Sequence, residues 1–339
     1  MMTIENLEKD LKQGKLNSIY LLYGEEIFLL ESCLKKIKNN FGDRQLGVNE
    51  IKIDESNANE LISDIETPAF GYDKKLIIAR NTMLFKKEGK KIGGNTELIN
   101  KIAEYIKENK NLIDEAVVLV FIEEEVEKNT LYKVLEQIGI VCEFQELKPI
   151  QIIPRLKQIS NAYKVQVDDS TLHYFVECCG TNMQELINEI RKLIEYAGEN
   201  GTIIKKDIDM LCIKKIDSVI FDLTDNLGKK NVGKAIDVLH GLIYQKEPIQ
   251  KILITLYRHF KKLYIIKLAQ KGNKNIQESL NLKPNQTFLI SKYTTQANYF
   301  KEQELRKIIK ELIDLDYNYK SGLIDLNVGL EAILCNYCS

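Results

Sequence analysis

Five short apolar runs alternate with stretches of helical period across the first 147 residues, and this alternation constrains the fold more than any other feature. The runs are SIYLLYG, VNEIKIDES, KKLIIARN, AVVLVFIEEE and VCEFQEL. Between them lie EEIFLLESCLKKIKNNFG, ELISDIE and TELINKIAEYIKENK, which read as helices. Strands alternating with helices predict a parallel sheet with helices on both faces, because each crossover lays a helix against the sheet. A lysine- and glycine-rich loop, KKEGKKIGGN (86–95), interrupts the pattern.

After Pro149 the strand signal stops. PIQIIPRLKQISNAYKV reads as helical apart from its prolines, and DDSTLHYFVECCG carries an N-cap candidate and a closing glycine. TNMQELINEIRKLIEYAG is the clearest helix: Met183, Leu186, Ile187, Ile190, Leu193, Ile194 and Ala197 recur at helical spacing, Thr181 and Gln184 match a capping box, and Gly198 closes it. TIIKKDIDMLC adds a short helix, and from residue 215 onward every periodic segment is helical. The expected fold class is α/β followed by all-α, divided into residues 1–147, 148–214 and 215–339.

The bulk properties exclude several classes. Seven cysteines, an odd number scattered through 339 residues, do not form a disulfide framework. Cys335 and Cys338 in CNYC read as part of a terminal helix core, and Cys178–Cys179 before Gly180 read the same way. The longest clean apolar run, AVVLVFI, is too short to span a bilayer, so no membrane contact is expected. The N-terminus MMTIENLEKD lacks a secretory pattern, and a cytoplasmic location is expected. Charge is uneven: residues 1–147 hold 20 basic and 27 acidic side chains, and residues 215–339 hold 19 and 13. That is a tilt rather than the stripe of a dedicated nucleic-acid binder.

In YLLYGEEIFLLE a strand runs through a glycine into a helix, the junction that holds phosphate in nucleotide-binding α/β proteins. A P-loop needs G-x-x-x-x-G-K-[S/T], whose glycines let amides wrap phosphate while the lysine and hydroxyl serve its charge and magnesium. Counting from Gly24, the places of Gly, Lys and Ser/Thr are held by Leu29, Leu30 and Glu31, and Glu25 and Glu26 add repelling charge. The junction therefore reads as a degenerate, non-binding P-loop. A second match, Gly228-x-x-x-x-Gly233-Lys234, is followed by Ala235 and preceded by a helical segment, so it reads as a turn between helices. Glu123-Glu124-Glu125 after AVVLVFI reads as a solvated loop. His173, His240 and His259 are far apart in helical patterns and read as surface or partly buried residues rather than ligands. No catalytic residue, cofactor or metal is expected.

Taken in succession, YLLYGEEIFLLESCLKKI, IETPAFGYDKKLIIARN, NMQELINEIRKLIEYAG, FDLTDNLGKKNVGKAIDVLHGLIYQKEPIQKILITLYRHFKKL and DYNYKSGLIDLNVGLEAIL resemble the delta subunit family of the bacterial DNA polymerase III clamp loader, over nearly the full length. The resemblance implies an AAA+-like first domain without nucleotide binding, a small helical lid and a helical collar. It implies a place in a pentameric ring with the ATPase (tau/gamma) and delta-prime subunits. It further implies binding and opening of the beta sliding clamp for loading on primed DNA. The implied clamp contact is Thr67, Pro68, Ala69, Phe70 and Gly71.

The residues themselves agree: Pro68 and Gly71 punctuate a turn that presents Phe70 at a loop tip, an anchor for an apolar pocket on a partner. The alternative is a Phe70 folded back onto its own core. The family motif usually has a large apolar residue before this Phe, where this chain has Ala69. From Lys251 to Lys274 there are seven basic residues and no acid. Lys251, Arg258 and Lys262 are expected on the helix face opposite Leu253, Leu256, Phe260 and Leu263, where they could follow phosphates or simply be solvated. Lys86, Lys87, Lys90 and Lys91 carry the same two readings. The rivals are an active ATPase using Gly228–Lys234 and a delta-prime-like scaffold. The latter family carries a cysteine cluster in its first domain, whereas residues 1–147 hold only Cys33 and Cys142.

Overall fold

Thr3 caps α1 (Ile4–Lys12) by accepting from the Asn6 amide, and the chain then enters β1 (Ile19–Tyr23). The computed structural model describes residues 1–86, 96–282 and 284–338. Lys87, Lys90 and Lys91 lie outside the described residues. Two compact units divide the chain, Met1–Glu146 and Leu147–Ser339.

In the first unit, β1 is followed by α2 (Ile27–Phe41), β2 (Glu50–Ile53), α3 (Leu61–Glu66), β3 (Lys75–Arg80), α4 (Thr96–Glu108), α5 (Lys110–Ala116), β4 (Val117–Glu123), α6 (Thr130–Ile138) and β5 (Ile140–Glu143). All five strands are parallel, in the order β2-β3-β4-β1-β5. Every residue of β1 and β4 is buried, as expected of inner strands covered on both faces. Leu21, Ile77, Leu119 and Phe121 of the strands join Ile102, Ile106, Leu131 and Leu135 of the helices in one core. The arrangement is the α/β architecture expected from the alternating runs. Parallel strands place their C-terminal ends, Tyr23, Arg80, Glu123 and Glu143, along one edge, where open α/β sheets bind ligands.

The second unit is helical. Its first part holds α7 (Pro149–Ala162), β6 (Gln166–Val167), α8 (Asp169–Cys179), α9 (Met183–Ala197), β7 (Thr202–Ile203) and α10 (Lys205–Leu211). The periodicity of α9 is faithful: Met183, Leu186, Ile187, Ile190, Leu193 and Ile194 are all buried, and Ala197 is half-buried. Three local expectations are corrected. The cap of α9 is Asn182, accepting from the Glu185 amide, rather than Thr181. Pro154 lies inside α7 and does not interrupt it, while Pro149 occupies its first turn, where a missing N–H costs nothing. Strand structure also returns briefly, since β6 and β7 pair in parallel.

The rest of the unit is α11 (Ile216–Gly228), α12 (Val232–Tyr244), α13 (Ile249–Lys271), α14 (Ile276–Leu280), α15 (Ile290–Asn298), α16 (Glu302–Lys320) and α17 (Leu326–Cys338). The long α13 packs on α11, α14, α15, α16 and α17 and contributes Ile252, Leu256, Phe260, Leu263 and Ile266 to the shared core. CNYC is helical as expected, but Cys335 is exposed rather than a core residue, and the Cys338 side chain lies outside the described residues. Among the described residues, no helix is long and apolar enough to cross a membrane.

Candidate functional site

Three residues, Gly24, Glu25 and Glu26, separate β1 from α2, too few for the six-residue wrap of a P-loop. The amides that would cradle phosphate are already used. The Gly24 N–H donates to the Glu123 carbonyl at 3.2 Å and the Glu26 N–H to the Phe144 carbonyl at 2.8 Å. The Phe144 N–H in turn donates to the Tyr23 carbonyl at 2.6 Å, so the chain leaving β5 closes over the junction. Gly24 adopts φ 129°, and a Cβ there would lie 2.4 Å from the Phe144 carbonyl oxygen. Leu29 and Leu30 are buried in the core, and Glu31 pairs with Arg80 at 2.5 Å. Each residue at a phosphate-binding position thus has a different job.

The acidic position at the end of β4 is also reassigned: the expected solvated loop holds for the exposed Glu124 and Glu125 but is corrected for Glu123. Glu123 belongs to the strand and is 3% exposed. Its carboxylate accepts from the Thr82 amide at 2.9 Å and the Thr82 hydroxyl at 2.7 Å. Burial pushes its carboxyl above the ordinary glutamate value, with the Thr82 bonds opposing that rise.

The Gly228–Lys234 match sits across two helices. Gly228 ends α11, and Gly233 and Lys234 lie in the first turn of α12, where the Asn231 side chain accepts the Lys234 amide. A Cβ on Gly228 would meet the Tyr299 ring 2.7 Å away, so that glycine permits helix packing. No strand precedes the turn, and the phosphate cradle is absent here too.

The loop between α3 and β3 differs. Ala69 to Tyr72 form a turn closed by the Tyr72 N–H to Ala69 carbonyl bond at 3.0 Å, with Gly71 at φ 80° in the third position. That φ is the one a type II turn requires and glycine supplies without strain. Phe70 occupies the second position and is 76% exposed. Thr67 and Pro68 are exposed and Ala69 is half-buried.

The base of this loop is fixed. The Thr67 N–H and hydroxyl both donate to the Ser63 carbonyl, at 3.0 and 2.6 Å. Lys75, the first residue of β3, is 3% exposed, and its ammonium donates to the carbonyls of Asp64 and Thr67 at 2.8 and 2.5 Å. It thereby caps the C-terminal end of α3, where carbonyl charge favours a cation. Burial pulls its ammonium below the ordinary lysine value, and burial pushes the neighbouring Asp64 carboxyl up. Because the loop feeds the N-terminal end of β3, it lies at the opposite edge of the sheet from the closed junction, about one strand length or ~20 Å away.

The basic stripe on α13 is only partly as expected. Arg258 and Lys251 are exposed, with Lys251 paired to Glu247 at 2.8 Å. Lys262 departs from the solvated face: its ammonium donates to the Tyr293 hydroxyl at 3.0 Å and lies 5.1 Å from that ring's centroid. Burial pulls its ammonium below the usual value. His259 is likewise corrected from surface or partly buried to fully buried. It packs edge-on to Phe221 at 4.6 Å, and its Nε2 lies 2.8 Å from Gln296 Oε1. Gln296 Nε2 donates to the Phe221 carbonyl, so its oxygen must accept and His259 Nε2 carries the proton. Burial lowers its pKa to about 3. His173 and His240 are exposed, and His240 Nε2 lies 2.7 Å from Glu331.

Sequence reasoning missed Lys75, Glu123 and a group formed by Cys179, Glu189 and Cys212, which helices α8, α9 and α10 bring together. The one advance signal for Lys75 was a charged residue directly before the apolar run Leu76 to Ala79.

These features define a class: an α/β module with the outline of a nucleotide-binding fold, whose phosphate site is closed and whose exposed aromatic loop lies on the far edge. A family model described as "DNA polymerase III, delta subunit" matches residues 20–145, and one described as "DNA polymerase III delta subunit, C-terminal domain" matches residues 217–337. DNA polymerase III subunit delta of Bacillus subtilis (strain 168) is 25% identical over 332 residues, covering 96% of this chain and 94% of the relative. A probable DNA polymerase III subunit delta of Aquifex aeolicus (strain VF5) is 28% identical over 309 residues, covering 88% and 85%. The solved structure of the Bacillus subtilis DNA clamp loader delta protein superposes with a TM-score of 0.70 at 23% identity, over 99% of each chain, a likeness of fold. The chain belongs to the delta-subunit family of DNA polymerase III.

Proposed function

We propose that this chain is the non-ATPase subunit of a DNA polymerase III clamp-loader complex, gripping the beta sliding clamp through residues 67–71 and helping to hold it open for loading on primed DNA. The observation that carries this reading is Phe70, an aromatic left 76% exposed at the tip of a turn whose base is fixed. Burying a side chain of this size is worth about 1.5–3 kcal/mol, and a partner's apolar pocket would recover it. The preceding Ala69 offers no second large anchor, so the grip centres on one ring. The closed junction at Gly24 fits a subunit whose partners, the tau/gamma ATPase and delta-prime in a pentamer, supply the ATP chemistry.

In this reading residues 1–147 are the clamp-binding domain, 148–214 a small lid and 215–339 the collar. Primed DNA is reached through the complex. A phosphate track along α13 would use Arg258 and Lys251 rather than Lys262, which is turned onto Tyr293. The reading is tested by calorimetric titration of the full chain with the beta clamp of the same organism. Saturable one-to-one binding is expected, and no detectable heat or complex at micromolar concentration would contradict it.

A further inference from the structure

Cys179 ends α8, Glu189 lies mid-way along α9, and Cys212 directly follows α10. Their ligand atoms, two sulfurs and a carboxylate oxygen, all lie within 4.8 Å of one another. Tetrahedral zinc with Zn–S bonds of about 2.3 Å sets its sulfurs about 3.8 Å apart, so small side-chain movements suffice to close such a group on an ion. We propose that these three residues form a binding site for a zinc-class divalent cation, with solvent as the fourth ligand.

The donor set selects the metal. Two thiolates favour zinc over the oxygen-seeking magnesium and calcium, and one carboxylate is an ordinary zinc ligand. Binding releases two thiol protons. Two thiolates, one carboxylate and one dication leave a net charge of −1, and the Lys192 ammonium, 2.6 Å from Glu189 Oε2, offsets it. The Ile213 N–H also donates to Oε2, at 3.0 Å, so both contacts fall on one oxygen and the other can take the cation. Lys192 further donates to the Leu211 carbonyl at 3.3 Å, so the group that orients Glu189 also holds the end of α10. Such second contacts are what orient a ligating carboxylate.

The consequence is mechanical. Three residues beyond Cys212 the chain passes the end of α8 again, where the Lys215 N–H donates to the Cys178 carbonyl at 2.8 Å, and α11 begins at Ile216. A bound ion would tie the ends of α8 and α10 to α9 just before the chain enters α11. This site is independent of the clamp contact.

The test uses the full-length chain, reduced and stripped by a chelator, then titrated with cobalt(II). A thiolate-to-cobalt charge-transfer band saturating at one equivalent and bleached by zinc is expected, together with a rise in thermal midpoint on adding zinc. Cys212→Ser should abolish the band, and Glu189→Gln should weaken affinity at least tenfold, each with an unchanged far-ultraviolet spectrum. Cys335→Ser, at the exposed cysteine of α17, should leave it intact. No band in the reduced parent chain overturns the proposal. So does a band that survives Cys212→Ser, or a chain that loses two thiols to a disulfide in air yet takes up no cobalt under reductant.

Discussion

Phe70 and Lys75 show how one loop can display an aromatic and remain fixed. Phe70 contributes little to the folded state because most of it is in water. Phe70→Ala should therefore shift stability by no more than about 0.5 kcal/mol in urea titration. Lys75 is the opposite case. Lys75→Met keeps the stem and removes the ammonium, leaving the carbonyls of Asp64 and Thr67 without their donor. A loss of about 1–3 kcal/mol is expected in the same titration, with faster amide exchange confined to the loop.

His259 supplies a pH signature. It is neutral in the fold, with a pKa near 3 against 6.5 when unfolded. Its contribution is complete above pH 6.5 and is lost as pH falls from there toward 3, because only the unfolded chain takes up the proton. Between pH 8 and 5.5 this should cost on the order of 1 kcal/mol. His259→Gln should flatten that part of the stability profile, and an unchanged slope would refute the assignment.

At the scale of elements, the β1–α2 junction keeps the shape of a nucleotide site without its open space. Gly24→Ala would force a Cβ against the Phe144 carbonyl at a φ unfavourable to alanine. It should lower stability by roughly 2 kcal/mol or more, seen as a lower urea midpoint with unchanged slope.

The same elements show what sequence can and cannot reveal. The strands were legible because β1 and β4 are unbroken apolar runs, and α9 because Met183 through Ile194 keep one period. The exposed turn at Phe70 was legible because Pro68 and Gly71 are local signals. Glu123 was not, since its partner Thr82 lies 41 positions away and three consecutive glutamates look like a solvated loop. His259 depends on Gln296, 37 positions away, and Lys262 on Tyr293, 31 away. The paired strands β6 and β7 have two residues each, too few to produce a periodic signal.

At the scale of the whole molecule, the two edges of the five-stranded sheet are unequal. The edge that binds ligands in open α/β sheets is closed by Phe144, Glu123 and the Arg80–Glu31 pair, while the opposite edge leaves Phe70 exposed. The isolated chain should show no ATP binding by equilibrium dialysis at millimolar nucleotide, and Lys234→Ala should change nothing. Saturable binding lost in that variant would revive the ATPase reading. The most direct measurement of the central claim is calorimetric titration of the parent chain and Phe70→Ala, side by side, against the beta clamp of the same organism. The parent should bind, and the variant, folded as stably, should bind about 30-fold more weakly, a loss of about 2 kcal/mol. Equal affinity would contradict the loop as the contact, and binding by neither chain would contradict the function.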